Sequence, residues 1–262
     1  MPRFHLSISN IAWDKADDAG VYAAMKTYGF TGLELAPTRI FPADPYANPA
    51  AALLFGGYLR KAYGFAVPSI QSIWYGKTGN IFVPEQAGEL LAYTAQACEF
   101  AHLLDCPSLV FGCPKNRMLP AGADPAAADL FFARAGQEAA RRNVVLAIEA
   151  NSRAYTNFIN GTAEAFALVR RVGGPGLAVN LDLSTVLYNG EQLRDFARDL
   201  DLVSHVHLSE PALAPLERRP LHRELALMLG AVGYRGFVSI EMRRTDLATI
   251  ERTMAYVAEV FQ

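Results

Sequence analysis

The sequence is short of cysteine, of charge imbalance and of long uncharged runs, and each shortage excludes something. Charged side chains make up 19% of the 262 residues, 24 basic against 26 acidic, for a net charge of −2. That balance gives no electrostatic footprint for a nucleic-acid backbone. Pro45–Leu59 carries no charged side chain, but its 15 residues, interrupted by proline and glycine, fall short of the ~18 a membrane span needs. The three cysteines, Cys98, Cys106 and Cys113, cannot all pair, and no C-x-x-C spacing occurs. The opening Met1-Pro2-Arg3-Phe4-His5-Leu6 runs into strand-like sequence with no apolar signal segment. The expectation is a soluble cytoplasmic protein without structural disulfides, and without nucleic acid or membrane as a partner.

What is present is a regular alternation. Apolar residues reach 52%, enough for a large core. Strands are predicted at Phe4–Ser9, Gly32–Leu35, Phe65–Ile73, Ser108–Gly112, Val144–Glu149, Leu177–Asp182, Leu202–Leu208 and Gly236–Glu241. Helices are predicted between them at Asp14–Tyr28 (Asp14 as N-cap), Pro49–Gly64, Pro84–Leu104, Asp124–Arg142, Thr162–Val172, Glu191–Arg198 and His222–Ala231, with Asp246–Val260 closing the chain. Eight strand–helix units without a linker, and without a glycine fingerprint after the first strand, favour one α/β domain over residues 1–262. Its predicted architecture is a (β/α)8 TIM barrel rather than an open doubly wound sheet. Gly173-Gly174-Pro175-Gly176 precedes a strand instead of following one, so it reads as a helix cap and turn. Asn160-Gly161-Thr162, a sequon by its letters, reads as a loop leading into a helix.

In such a barrel the chemistry sits at the C-terminal strand ends. Four successive predicted strands finish with Glu149, Asp182, His207 and Glu241. Side chains two apart share a face, so Ala147 and Glu149, Asn180 and Asp182, and Ser239 and Glu241 point inward, while Ile148, Leu181 and Ile240 face the helices. A single carboxylate in this position is ordinarily a helix cap or an ion-pair partner. Three carboxylates and an imidazole at one mouth repel or desolvate one another, and a divalent cation resolves that conflict. His205 also faces inward but lies deeper, as a hydrogen-bonded interior histidine.

The order Ile-Glu-Ala-Asn (148–151), Leu-Asp-Leu-Ser-Thr (181–185), His-Val-His-Leu-Ser-Glu (205–210) and Ser-Ile-Glu-Met (239–242) resembles the xylose isomerase-like barrel superfamily. The nearest group is its sugar and sugar-phosphate isomerases and epimerases. Gly32-Leu33-Glu34-Leu35 and Gly233-Tyr234-Arg235-Gly236-Phe237 are similar to it as well. The resemblance implies one divalent ion held by Glu149, Asp182, His207 and Glu241. Manganese stands foremost, with magnesium, cobalt or zinc also compatible with three oxygens and one nitrogen. It also implies that Glu149 and Glu241 are the acid/base pair of a metal-stabilised enediolate mechanism, and that the chain forms a homo-oligomer.

The substrate-reading shell departs from the ketohexose 3-epimerase pattern. Thr185, Tyr155 and Leu213 stand where that pattern has histidine, glutamate and arginine. The abasic-site endonucleases of the superfamily need more histidines than this chain offers; only His222 matches, with Pro220 in place of their aspartate. Candidate substrate contacts are Glu34, Gln71, Lys115, Arg117, Asn151, His222 and Arg243, with Lys115, Arg117 and Arg243 hinting at an anionic sugar. Trp13 and Trp74 are either apolar walls of the mouth or packing. A metal-dependent dehydratase of a keto-polyol or dehydroshikimate-like compound is the main alternative, ahead of a non-catalytic metal-binding barrel.

Overall fold

A computed structural model describes residues 4–262; the opening Met1–Arg3 of the strand-like start lies outside the described residues. Seven parallel strands form one curled sheet: β1 (His5–Ser9), β2 (Gly32–Glu34), β3 (Ser108–Phe111), β4 (Val145–Glu149), β5 (Leu177–Asp182), β6 (Val203–Leu208) and β7 (Phe237–Ile240). Their order is β2-β1-β7-β6-β5-β4-β3. The eighth stave is the predicted strand Phe65–Ile73, and here the expectation needs correction. It makes only isolated bridges, Ala66 to Gly32 and Ile70 to both Leu35 and Leu109. Pro68 has no N–H to give a ladder, and Ser72 at φ 55° turns the chain away. The bridges still close the barrel, since Ile70 N–H donates to Ser108 O and Gln71 N–H to Leu35 O. The result is a (β/α)8 TIM barrel.

The surrounding helices are α1 (Asp18–Thr27), α2 (Pro37–Ile40), α3 (Pro49–Tyr63), α4 (Pro84–Leu103), α5 (Ala127–Ala140), α6 (Thr162–Val172), α7 (Leu183–Asn189), α8 (Pro220–Ala231) and α9 (Leu247–Phe261). Three expectations shift. Asp14 does not cap; a 3-10 turn, Lys15–Asp17, precedes α1, and Asp14 instead pairs with Arg244 at 2.7 Å. The helix predicted at Glu191–Arg198 is a 3-10 turn, Leu193–Phe196. In its place α7 follows β5 directly, N-capped by Asp182, which accepts from Thr185 N–H at 3.0 Å. No helix among the described residues is long and apolar enough to cross a membrane.

Alternation divides the core into two shells. Leu6, Ile8, Leu146, Ile148, Val206 and Ile240 are buried between sheet and helices, as period-2 strands require. The barrel interior is polar instead, with Ser7, Ser9, Glu34, Ser69, Asn180, His205 and Ser239 all buried. One irregularity positions the mouth. β5 and β6 run in register at Val179↔Val203, then shift so that Asn180 faces His205 and Asp182 faces His207. The extra residue on β6, Ser204, re-aims both histidines inward; without it Asp182 would lie beside the outward Val206.

Candidate active site

The four strand-end residues converge. His207 Nδ1 lies 3.2 Å from Glu149 Oε2 and 3.3 Å from Glu241 Oε2. Ligand-type atoms of Asp182, His207 and Glu241 all fall within 4.8 Å of one another. On the other side of the ring, His207 Nε2 donates to Glu34 Oε2 at 2.9 Å. A carboxylate only accepts, so Nε2 carries the proton, and in the neutral ring Nδ1 offers its lone pair to the mouth. His205 Nε2 donates to the same Glu34 oxygen at 2.8 Å, and Ser69 Oγ at 2.5 Å. Glu34, His205 and His207 also cluster, but their facing atoms are already hydrogen-bonded to one another. They form a support beneath the mouth rather than a second ligand set.

Each carboxylate at the mouth is held by different neighbours. Asn180 donates to Glu149 Oε2 and Asn151 to Glu149 Oε1, both at 2.7 Å. Asp182 accepts from Ser184 and Thr185, and from Ser209 Oγ. Burial would raise the Glu149 carboxyl, but hydrogen bonding and the charge of His207, with Asn151 and Asn180, hold it below the usual range. Burial, backed by the charges of Glu149 and Asp182, pushes Glu241 up to about 7 despite His207. Asp182 is raised by burial and by Glu149. For His207 burial works downward, yet Glu34 and Glu241 lift it well above its ordinary value. The mouth is therefore short of positive charge. The lift on His207 keeps a proton on its Nδ1, between the carboxylates, in the cation-free cluster; a divalent cation would take the place of that proton, with Nδ1 and the oxygens of Glu149, Asp182 and Glu241 as its donor set.

The remaining sequence candidates separate. Asn151 belongs to the mouth through Glu149. Glu34 is fully buried and accepts from two histidines, so its carboxylate is committed inside the barrel rather than to a substrate. Arg117 is likewise fully buried, with Nη1 on Glu149 O at 2.9 Å and Nη2 on Asn151 Oδ1 at 2.9 Å. It cannot meet an anion at the mouth, and it fixes the strand end and Asn151 instead. Gln71 is buried inside the barrel, donating to Ser9 Oγ at 3.1 Å. His222 is buried between α8 and α9 against the Tyr256 hydroxyl at 2.8 Å, away from the mouth residues. Lys115 and Arg243 are exposed. Trp13 and Trp74 direct their indole N–H groups to Asp18 and Thr94, as packing residues do. Sequence reasoning missed Ser209 and Ser69. Ser209 carried a signal, since it shares the face of His207 two residues on.

Gly112 shows how tightly the mouth is built. A Cβ at this position would stand 2.9 Å from Glu149 Oε1, so the backbone of the β3 end passes directly against the carboxylate.

Fold and site together define a parallel (β/α)8 barrel with an acidic, histidine-bearing cluster at the C-terminal ends of its strands. The chain belongs to the xylose isomerase-like TIM barrel family, whose sequence model matches residues 22–260. No protein of curated function matches it by sequence. Among solved structures it is similar to a D-psicose 3-epimerase studied in the presence of D-fructose, at 20% identity and TM-score 0.78, covering 98% of each chain. It is also similar to D-psicose 3-epimerase with D-tagatose from Clostridium cellulolyticum H10, at 15% identity and TM-score 0.81, covering 99% of this chain and 100% of that one. A 3-keto-D-glucoside 4-epimerase from E. coli aligns at 19% identity and TM-score 0.73, over 98% and 100%. At these identities the likeness is one of fold.

Proposed function

We propose that the chain is a divalent-metal-dependent isomerase or epimerase of a sugar, sugar acid or sugar phosphate. The observation that carries the reading is the convergence of Glu149, Asp182 and Glu241 on the mouth-facing Nδ1 of His207. That three structurally similar proteins act as sugar epimerases supports it. Asp182, His207 and the two glutamates would hold the ion, manganese foremost. When bound, the ion supplies positive charge against the oxyanion that develops on the substrate.

The chain's own residues account for the proton movements. Glu149, held ionised, takes the proton from the carbon next to the carbonyl, and the C–H electron pair moves into an enediolate. Glu241 is the member of the pair that carries a proton back to carbon. Delivered to the opposite face of the same carbon, that proton gives an epimer; delivered to the neighbouring carbon, with the hydroxyl proton passing from one enediolate oxygen to the other, it gives the aldose–ketose isomer. Asn180 and Asn151 hold the Glu149 carboxylate in one orientation, and Arg117 holds Asn151.

The test is deuterium uptake from D2O into keto sugars and sugar acids, read by NMR and mass spectrometry on the manganese-loaded protein. Exchange at a carbon beside the carbonyl is expected, falling by about 100-fold or more in Glu149→Gln or Glu241→Gln. Loss of one water from the product would move the protein to the dehydratases. Manganese uptake with no exchange on any keto sugar would leave a metal-binding barrel and overturn the enzyme.

A further inference from the structure

Beside the mouth lies a recess of about 600 Å³ between the loop that follows the closing segment and the loop that follows β3. Trp74, Tyr75, Lys77, Cys113, Lys115 and Asn116 line it. Both loops leave the C-terminal ends of their staves, the end that carries Glu149. Gly112, packed against the Glu149 carboxylate, leads directly into the recess wall at Cys113.

We propose that this recess binds an anionic substituent of the substrate, so that the enzyme acts on a ketose carrying a phosphate or carboxylate away from the reacting carbon. The proposal rests on the isomerase/epimerase reading above and deepens it. Two cations line the recess and no aspartate or glutamate does. Among the described residues neither Lys77 nor Lys115 has a carboxylate within ion-pair distance, and both side chains are exposed. Lys77 Nζ is steadied 3.9 Å above the Tyr93 ring, a neutral partner that leaves its charge uncompensated. Arg117, the other cation of the second loop, is committed to Glu149 O and Asn151. Anion recognition on this side of the mouth therefore falls to the lysines, which act as point charges.

The recess is also built rather than fluid. Asn116 Nδ2 donates across to Lys77 O at 3.1 Å and Gly79 O at 3.0 Å, and Ile81 N–H donates to Asn116 O at 2.9 Å. Asn80 Nδ2 reaches Met118 O at 2.7 Å. These bonds tie the two loops together and hold Cys113 at φ 41°, a conformation a non-glycine residue adopts only when its surroundings impose it. Burial pushes the Cys113 thiol up to about 12, so it brings no negative charge. The exposed Tyr75 ring supplies an apolar wall for the C–H face of a sugar.

The experiment compares D-fructose, D-fructose 6-phosphate and D-fructuronate on the metal-loaded full chain, in the wild type and in a Lys77→Ala/Lys115→Ala variant. Binding is read by calorimetry and turnover by deuterium exchange. At least one anionic ketose is expected to bind about 10-fold or more tightly than fructose, consistent with one charge-assisted contact. In the double variant that preference should collapse toward 1, and Lys77→Arg/Lys115→Arg should restore it. Which anion gains identifies phosphate or carboxylate as the group held. Wild type without preference, or a preference that survives loss of both lysines, overturns the recess and leaves the epimerase reading intact. Lysine-dependent binding with no exchange at any carbon does the reverse.

Discussion

At the scale of single residues, Glu34 is the position where the structure most changes what the sequence implies. Strand parity correctly turns it inward, but parity says nothing of depth. Ser9↔Glu34 pairing and the shifted β5–β6 register together put it under both histidines. Burial would raise its carboxyl; the two histidines overcome this and hold it well below the usual range. Its consequence is indirect. By accepting from His207 Nε2 it fixes the ring so that Nδ1 faces the mouth, and it makes that nitrogen a better donor to a cation. Glu34→Gln should therefore weaken manganese binding by about 10- to 100-fold while the barrel stays folded. Manganese titration followed by EPR, beside circular dichroism, measures this; an unchanged affinity would show that Glu34 does not position the ligand. Arg117 teaches the same lesson. Loop cations look alike in sequence, and only the fold shows that Arg117 is inside while Lys115 stays in solvent.

Whole elements were legible where one physical signal dominated. The period-2 patterns of β4, β5 and β6 predict the inward faces because a side chain on the wrong face would bury charge against helices. Signals that competed were misread. Asp182 ends a strand and caps α7 at once, and the cap hides behind the strand in a linear reading. Phe65–Ile73 has strand composition, yet Pro68 removes the donor that a ladder needs. His222 joins α8 to α9 through Tyr256. Burial holds its imidazole down at about 4, against an ordinary 6.5. Between those values the unfolded chain takes a proton that the folded chain refuses. The contribution is thus complete above pH 6.5 and is lost as pH falls toward 4, by up to about 3 kcal/mol. His222→Gln, which keeps a partner for Tyr256 without titrating, should show a shallower loss of thermal stability from pH 7 to pH 5 than the wild type. Parallel curves for the two proteins would remove His222 as an acid-sensitive joint.

For the whole molecule the decisive feature is the polar interior of the barrel. An ordinary barrel of this kind fills its centre with branched apolar side chains. This one buries Glu34, Glu149, Asp182, two histidines and several serines there, an arrangement that is costly unless the charges are matched. The sequence showed that four ligand-type residues end four consecutive strands, and the structure adds that they share one space. A cation that binds only the folded chain should then stabilise it by mass action, by about 2.7 kcal/mol at a hundredfold excess over Kd. In a chain of this size that corresponds to a rise in Tm of roughly 5–10 °C. Added manganese should produce the shift, a chelator should reverse it, and the Glu149→Gln/Glu241→Gln double variant should lack it. The dependence on pH has a definite sign. Protons compete with the cation for Glu241, which burial has pushed up to about 7, so the manganese-induced shift should be small at pH 6 and grow as pH rises through 7 to 8. A shift of equal size at both ends of that range would place the cation away from Glu241. No shift at any pH would mean that the cluster is neutralised by its own protons, and the proposed chemistry would lose its electrophile.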